Sequence, residues 1–309
     1  MKLLSAIVPC YNEEENILGF YEEFLKNEPF FQSKEMDFEL IYVNDGSMDH
    51  TASEVKKLIE KDKRVHLLSF SRNFGKEAAI YAGLEKCRGD YAVFLDADLQ
   101  DPPSLLPEMF HYLEEGYDSV ATRRVTRKGE PLIRSFFARC FYRLMRKISK
   151  TEIVDGARDY RLMTRQVVDA ILSMPEYNRF TKGIFGWVGY ETKWLEYDNI
   201  ERKHGETKWS FWKLFVYSIE GITSFSTAPL AFAAFAGVLF CVLAFVFLII
   251  IWVRAMIFGD KTSGWPSLVC IILLISGVQF FCMGILGLYL AKTYLEVKKR
   301  PIYLIKEDI

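Results

Sequence analysis

Two aspartates one residue apart, Asp96 and Asp98, close a short apolar run, Tyr91–Leu95. In an extended segment residues i and i+2 project to the same side. Two carboxylates held that way repel unless a cation joins them. Hard carboxylate oxygens suit Mg²⁺ or Mn²⁺, and such ions usually also hold substrate phosphates. Three further apolar runs end in polar residues. They lead into Pro9-Cys10-Tyr11-Asn12-Glu13, Asn44-Asp45-Gly46-Ser47-Met48-Asp49 and Ser71-Arg72-Asn73-Phe74-Gly75-Lys76. Taken singly, Asp45-Gly46-Ser47 reads as a turn, and Ser47 or Asp49 as a helix N-cap. Taken together, four polar strand ends read as one site. No GxxxxGK[ST] motif is present and no GxGxxG follows the first run, so the phosphate chemistry is neither that of a P-loop NTPase nor that of a dinucleotide fold.

The elements that must carry these ends are legible. Strands are expected at Leu4–Val8, Phe38–Val43, Val65–Ser69, Tyr91–Leu95 and Ser119–Thr122. Between them Ile17, Tyr21, Phe24 and Leu25 keep helical spacing. So do Val55, Leu58 and Ile59, and later Leu105, Leu106, Met109 and Leu113. Strand and helix in alternation imply an α/β fold, a mostly parallel sheet with helices on both faces. Ligands of such sheets sit outside the carboxyl ends of the strands, where the four polar sets fall.

The chain has 309 residues, half of them hydrophobic, and a net charge of −1. That balance weakens a nucleic-acid reading. The charge is unevenly spread: none lies between Gly221 and Val253, and none between Thr262 and Ala291. Ala228–Val253 is 26 residues, about 39 Å as a helix against a hydrocarbon core of about 30 Å. Pro266–Ala291 is a second such run. Lys and Arg flank the pair at Arg202, Lys203, Lys208, Lys213, Lys292, Lys298, Lys299 and Arg300, which predicts two membrane spans, cytosolic termini and an outward loop at Arg254–Trp265. Trp252, Trp265, Tyr289 and Tyr294 sit where interface anchors belong, and Trp209–Tyr217 reads as a helix lying in the interface. Residues 131–149 read either as a second membrane-facing helix or as one packed on the α/β part. Gly284 and Gly287 allow the close helix contact of a homo-oligomer. Met1–Pro9 is too short and too soon followed by polar residues for a signal peptide, so the first 220 residues are expected in the cytosol. The six cysteines form no CxxC pair, which disfavours a zinc site or a disulfide framework.

Val8-Pro9-x-Tyr11-Asn12-Glu13, Asn44-Asp45-Gly46-Ser47-x-Asp49 and Asp96-x-Asp98 together resemble the family 2 inverting glycosyltransferases with the GT-A fold. Ser71–Ala79, Leu95–Pro103 and Asp159-Tyr160-Arg161-Leu162-Met163, with the two C-terminal spans, resemble the polyprenyl-phosphate branch, which includes bactoprenol glucosyltransferases and dolichyl-phosphate mannose synthases. The branch's usual Asp-Phe-Arg-Leu is Asp-Tyr-Arg-Leu here, a mild departure. The Gln-x-x-Arg-Trp motif of the processive synthases is absent, which disfavours a polymerase.

The resemblance implies that Pro9, Tyr11 and Glu13 flank the base and ribose of a nucleotide sugar, that Asp45 accepts a hydrogen bond from uracil, and that Ser47 lies nearby. It implies that Lys76 and Arg72 meet the nucleotide or its phosphates, that Asp96 holds ribose or metal, and that Asp98 holds the Mg²⁺ or Mn²⁺ bridging the diphosphate. Asp159 matches the position of the catalytic base, with Asp155 as a rival. Arg123, Arg124, Arg161, Arg202 and Lys208 are the candidate cations for the diphosphate and for the phosphate of a polyprenyl acceptor. His204 is expected to be structural. A catalytic domain over 1–203, an interfacial region over 204–227 and a transmembrane pair with a short cytosolic tail over 228–309 follow. The expected function is transfer of a hexose, with UDP-glucose or a similar UDP-sugar as donor, to undecaprenyl phosphate on the cytosolic face of the inner membrane. The lipid-linked product would serve a cell-wall or lipopolysaccharide glycan, with a separate flippase. The rivals are a GDP-mannose-using mannosyltransferase, a non-catalytic nucleotide-sugar binding protein, and a nucleotidyltransferase.

Overall fold

The computed structural model describes residues 1–124, 143, 147–148, 154, 156–197, 211–258 and 264–309. The first half winds β1 (Lys2–Cys10), α1 (Ile17–Leu25), α2 (Glu28–Ser33), β2 (Met36–Asn44), α3 (Thr51–Lys61), β3 (Val65–Phe70), α4 (Lys76–Lys86) and β4 (Tyr91–Phe94). β1 pairs in parallel with β2 on one side and with β4 on the other, and β2 pairs in parallel with β3. The winding therefore reverses at β1. The crevice above the carboxyl ends of β1 and β4 is where such a sheet binds ligands.

Side-chain alternation divides the core. Leu4, Ala6 and Val8 face one layer with Phe20, Phe24, Phe31 and Phe38. Ile7 faces the other, with Ile41, Val43 and the Ala78–Leu84 stretch of α4. Each fully buried side chain of this size contributes about 1.5–3 kcal/mol. α4 is buried on nearly every side from Ala78 to Leu84. That is why no helical stripe announces it in the sequence.

The chain then turns the sheet antiparallel. After a short 3₁₀ turn and α5 (Leu106–Glu114) come β5 (Ser119–Arg124) and β6 (Ala157–Thr164), followed by α6 (Arg165–Leu172), α7 (Thr181–Trp187) and β7 (Thr192–Tyr197). β6 runs antiparallel between β4 and β5, and β7 pairs in parallel with β5. All five strands expected from the sequence are present. β6 and β7 were not expected, since each carries charged and polar residues without clean alternation.

α8 (Phe211–Phe225) leads into α9 (Ala228–Phe258) and α10 (Trp265–Val297). Within these two helices Ala228–Ile251 and Leu274–Val297 are long and apolar enough to cross a membrane, with outward-facing Phe235, Phe245 and Phe280. Beyond α10 the chain returns to the first domain. β8 (Ile305–Asp308) adds antiparallel to the free edge of β3, completing the order β7-β5-β6-β4-β1-β2-β3-β8. Leu67 and Ile309 exchange both backbone hydrogen bonds at 2.9 Å, and the Ser71 N–H donates to the Leu304 carbonyl at 3.0 Å. Tyr303 stacks on Phe70 with ring centroids 4.9 Å apart. Both termini thus lie in one sheet.

Deleting 305–309 removes the two Leu67–Ile309 backbone bonds and bares the edge of β3. Net worth of about 1 kcal/mol per bond predicts a loss of about 2 kcal/mol and a fall of several degrees in the unfolding temperature of the detergent-solubilised protein. An unchanged unfolding temperature would show that β8 contributes nothing to the fold.

Candidate active site

Phe94 pairs with Arg161 across β4 and β6, and continuing that register past the end of β4 brings Asp96 opposite Asp159. Lys76, the first residue of α4, fills the space between them. Its Nζ lies 2.7 Å from Asp96 Oδ1 and 2.7 Å from Asp159 Oδ2. Burial works against the ammonium, but the charges of Asp159 and Asp96 more than reverse it and hold the Lys76 pKa above the ordinary lysine value. Burial likewise pushes the Asp159 carboxyl up, and Lys76 and Lys182 outweigh it, leaving Asp159 well below the usual carboxylate range. Asp159 is therefore ionised at neutral pH. It lies within β6 and is paired with Lys76 in the free protein.

The loops around this triad are braced by side chains bonding to backbone. The buried Asp45 carboxylate accepts the N–H groups of Phe74 at 2.6 Å and Gly75 at 2.9 Å, which ties the end of β2 to the start of α4. Its pKa is raised by burial, against those two bonds. Gly46, at φ +67, lets this loop close on its neighbour: a Cβ there would stand 2.3 Å from the Arg72 carbonyl carbon. Ser47 Oγ accepts the Asn12 N–H and Asn12 Oδ1 accepts the Met48 N–H, both at 2.9 Å. The Glu13 N–H donates to Thr51 Oγ1 at 2.9 Å. Pro9, Tyr11, Glu13, Asp45 and Ser47 thus form one continuous rim over β1 and β2, with Pro9 and Tyr11 at the end of β1.

Asp98 is buried, and its Oδ1 accepts the Gln100 N–H at 3.1 Å. Between them Leu99 adopts φ +58, a left-handed conformation costly for leucine. Its surroundings hold it there. Asp101 Oδ1 accepts from Tyr197 Oη at 2.7 Å and from Arg158 Nε at 3.1 Å, and Tyr160 Oη donates to the Pro102 carbonyl at 3.2 Å. Asp98 sits in a turn rather than in extended chain, so the simple i, i+2 geometry does not describe the pair. Among the described residues no group of three His, Cys, Asp or Glu forms a ready-made metal cage.

The candidate cations separate. Arg123 pairs with Glu196 across β5 and β7 at the same sheet edge. Arg161 is buried two residues below Asp159. Arg72 lies over the Phe74 ring, 4.1 Å from its centroid. Asp155, Arg202, His204, Lys208, the Arg124 side chain and almost all of 131–149 lie outside the described residues. The sequence reading overlooked Glu77, Asp101, Arg158, Lys182 and Tyr197. Glu77 takes the Thr181 N–H at 2.9 Å and so anchors the start of α7, whose second residue is Lys182. Glu77 and Asp101 stood inside motifs already noticed. Arg158, Lys182 and Tyr197 carried no local signal.

The profile of the family described as Glycosyl transferase family 2 matches residues 5–172. The chain is 42% identical over 305 residues to a putative glycosyltransferase of Bacillus subtilis (strain 168), covering 99% of this chain and 92% of that protein. It is 42% identical over 303 residues to a prophage bactoprenol glucosyl transferase homolog of Escherichia coli (strain K12), covering 98% of each. It is 40% identical over 305 residues to the bactoprenol glucosyl transferase of Shigella phage SfV, covering 99% of this chain and 98% of that one. In fold it is similar to the crystal structure of mannosyl-3-phosphoglycerate synthase from Rubrobacter xylanophilus, with a TM-score of 0.50, 18% identity and 72% of each chain covered.

Replacing Lys76 by methionine leaves Asp96 and Asp159 facing each other without the ammonium. Because folding depresses the Asp159 pKa, its contribution to stability is present above the ordinary value of about 4 and is lost as pH falls toward the folded-state value. Lys76→Met should therefore be less stable than the wild type at pH 7. With a side chain 42% exposed, a deficit of about 1–2 kcal/mol is expected after solvent screening. The deficit should shrink as pH falls below about 4 and Asp159 protonates. Unfolding temperatures measured from about pH 7 down to about pH 2 test this. A deficit independent of pH would remove the two carboxylates from the account.

Proposed function

The chain belongs to glycosyl transferase family 2, and from that membership we propose that it moves a hexose from a nucleotide sugar, most simply UDP-glucose, to a polyprenyl phosphate at the cytosolic face of a membrane. The observation that carries the reading is the ionised Asp159 set against Lys76 and Asp96 at the crevice of the sheet. The relatives named bactoprenol glucosyl transferase support it by matching along nearly the whole chain, apolar helices included.

In the reaction the bond between the sugar's anomeric carbon and the nucleoside diphosphate breaks, and the diphosphate leaves with the electron pair. An oxygen of the lipid phosphate forms the new bond from the opposite face, so the configuration inverts. A phosphomonoester has a second pKa of about 6, so this nucleophile needs orientation more than deprotonation. Asp159, the candidate base, takes the remaining proton of a monoanionic phosphate once Lys76 turns from it to the diphosphate, since the Lys76 contact holds the carboxylate a weak base. The rim formed by Pro9, Tyr11, Glu13, Asp45 and Ser47 takes the base and ribose, and Arg123, Arg202 and Lys208 serve the phosphates.

A divalent cation, Mg²⁺ or Mn²⁺, is the cofactor this reading implies. Cations that carry substrate phosphates need only one or two protein carboxylates. Asp98 and Asp96 are hard oxygen donors beside the crevice, and they suit such an ion. Bound there, it would offset the charge gathering on the departing diphosphate. Lys76 keeps Asp96 neutralised in the free protein. The apolar helices hold the catalytic domain at the bilayer where the lipid resides. A separate flippase then carries the product across, and Gly284 and Gly287 suit a homo-oligomer.

Membranes containing the protein, given labelled UDP-glucose, UDP-N-acetylglucosamine, UDP-galactose or GDP-mannose with Mg²⁺ or Mn²⁺, should yield lipid-extractable label from one donor. Asp159→Asn and Asp98→Asn should each lower the yield at least 100-fold while UDP still binds the Asp159 variant. UDP binding without transfer from any donor would instead make the protein a nucleotide-sugar binding protein.

The orientation has its own test. In a variant stripped of its native cysteines, Ser263→Cys should react with an impermeant thiol reagent in intact cells and Ile309→Cys should not. Labelling of Ile309→Cys would place the sheet on the outer side and overturn the cytosolic assignment.

A further inference from the structure

Between the end of β3 and the start of α4 the chain runs as a loop over residues 71–75. Ser71, Arg72 and Asn73 are exposed. Exposed backbone of this kind opens readily unless something holds it. Two braces hold it here. The first is Asp45, which takes the Phe74 and Gly75 amides from the end of β2. The second comes from the far end of the chain. The Leu304 carbonyl accepts the Ser71 N–H at 3.0 Å. The Tyr303 ring stacks on Phe70 with centroids 4.9 Å apart, and Phe70 meets Phe74 edge-on at 5.7 Å. The Arg72 guanidinium in turn lies 4.1 Å from the Phe74 centroid. Ring contacts therefore run without a break from the C-terminal tail to a cation beside the crevice.

Tyr303 is itself pinned. Its Oη donates at 2.7 Å to Oε2 of Glu85, in the last turn of α4. Burial raises its pKa and the Glu85 bond raises it further, so the hydroxyl remains a donor at neutral pH. One side chain thus touches β3 before the loop and α4 after it. The Lys86–Asp308 pair also fastens the tail to α4, but at the end remote from Lys76.

The loop delivers two cations. Arg72 lies within it, and Lys76 follows it directly. A loop already in its bound conformation spares the ligand the ordering cost.

We propose that Tyr303 is a positioning residue for the donor: stacked on Phe70, it fixes the 71–75 loop through Phe74, so that Arg72 and Lys76 meet a nucleoside diphosphate without first being ordered. That the diphosphate arrives there rests on the function proposed above, while the brace on the loop does not.

The test uses the full chain in detergent. In the unliganded wild type the Ser71 and Phe74 amides should exchange hydrogen slowly. In Tyr303→Leu, exchange over 71–75 should quicken at least 10-fold. The Kd for UDP with Mg²⁺, by calorimetry, and the KM for the nucleotide sugar should each rise about 10-fold, the cost of ordering about one backbone residue at the moment of binding. The KM for polyprenyl phosphate and kcat should stay within twofold. Tyr303→Phe keeps the ring and loses only the Glu85 bond, so it should return both donor constants to within twofold of the wild type. Lys86→Met loosens the tail at its other hold on α4. It should lower the unfolding temperature and leave UDP affinity unchanged.

Fast exchange of the Ser71 and Phe74 amides in the wild type would overturn the brace, whatever the variants do. Unchanged UDP affinity in Tyr303→Leu would overturn the positioning role. So would an equal loss in Lys86→Met, which would reduce both effects to general stability. A Tyr303→Phe protein as weak as Tyr303→Leu would remove the ring stack as the cause. A wild type that binds no UDP would sink the donor reading, and the exchange of 71–75 in Tyr303→Leu would still decide the brace.

Discussion

One ammonium group between two carboxylates decides where the halves of this protein meet. Lys76 begins α4, Asp96 follows β4 and Asp159 lies on β6. The first two belong to the parallel half of the sheet and the third to the antiparallel half. Without the lysine, two negative charges would face each other across a pair of neighbouring strands, and the register of β6 against β4 would carry that repulsion. With it, the same register becomes the most tightly specified point of the crevice. The depressed Asp159 pKa and the raised Lys76 pKa are two aspects of this one contact.

The rest of the crevice is stiffened by a different device. Its carboxylates and amides bond mainly to backbone N–H groups: Asp45 to Phe74 and Gly75, Asn12 to Met48, Asp98 to Gln100. Loops that would otherwise leave backbone donors unsatisfied are thereby closed. The left-handed Leu99 persists because Asp101, Arg158, Tyr160 and Tyr197 determine the course of the chain around it. A further network around the buried Glu39, Ser5–Glu39–Arg88, stands apart from the triad. Glu39 there takes the Ser5 hydroxyl at 2.5 Å and the Arg88 guanidinium at 2.7 Å. It is fully paired within the chain, as structural charges are, whereas Arg161 is not.

The apolar helices are joined to this site by contiguous bonds. Glu296, near the end of α10, accepts the N–H groups of Tyr177 at 3.1 Å and Asn178 at 2.9 Å. Three residues later Thr181 donates to Glu77, the neighbour of Lys76. β8 then returns the chain to β3, and Lys56 and Lys86 pair with Glu307 and Asp308. The sheet is therefore fastened to the C-terminal end of the helix pair twice, through Glu296 and through β8.

What the sequence determined was what local pattern can express. Period-two and helical spacing located β1–β5, α1, α3 and α5, because those elements bury one face. Charge-free length located the two apolar helices. The polar residues after the strands located the rim and the carboxylates, because a parallel sheet collects strand ends at one edge. α4 was missed because burial on nearly all sides erases the periodic stripe. β6, β7 and β8 were missed because their residues are chosen for partners elsewhere in the chain: Asp159 for Lys76, Arg158 and Tyr197 for Asp101, and the 305–309 segment for the bare edge of β3. Ion pairing and cavity formation depend on separations in space that sequence distance does not encode. Only the tertiary structure could set Lys76 between its two carboxylates and bring Arg158, Arg161 and Lys182 to one cavity.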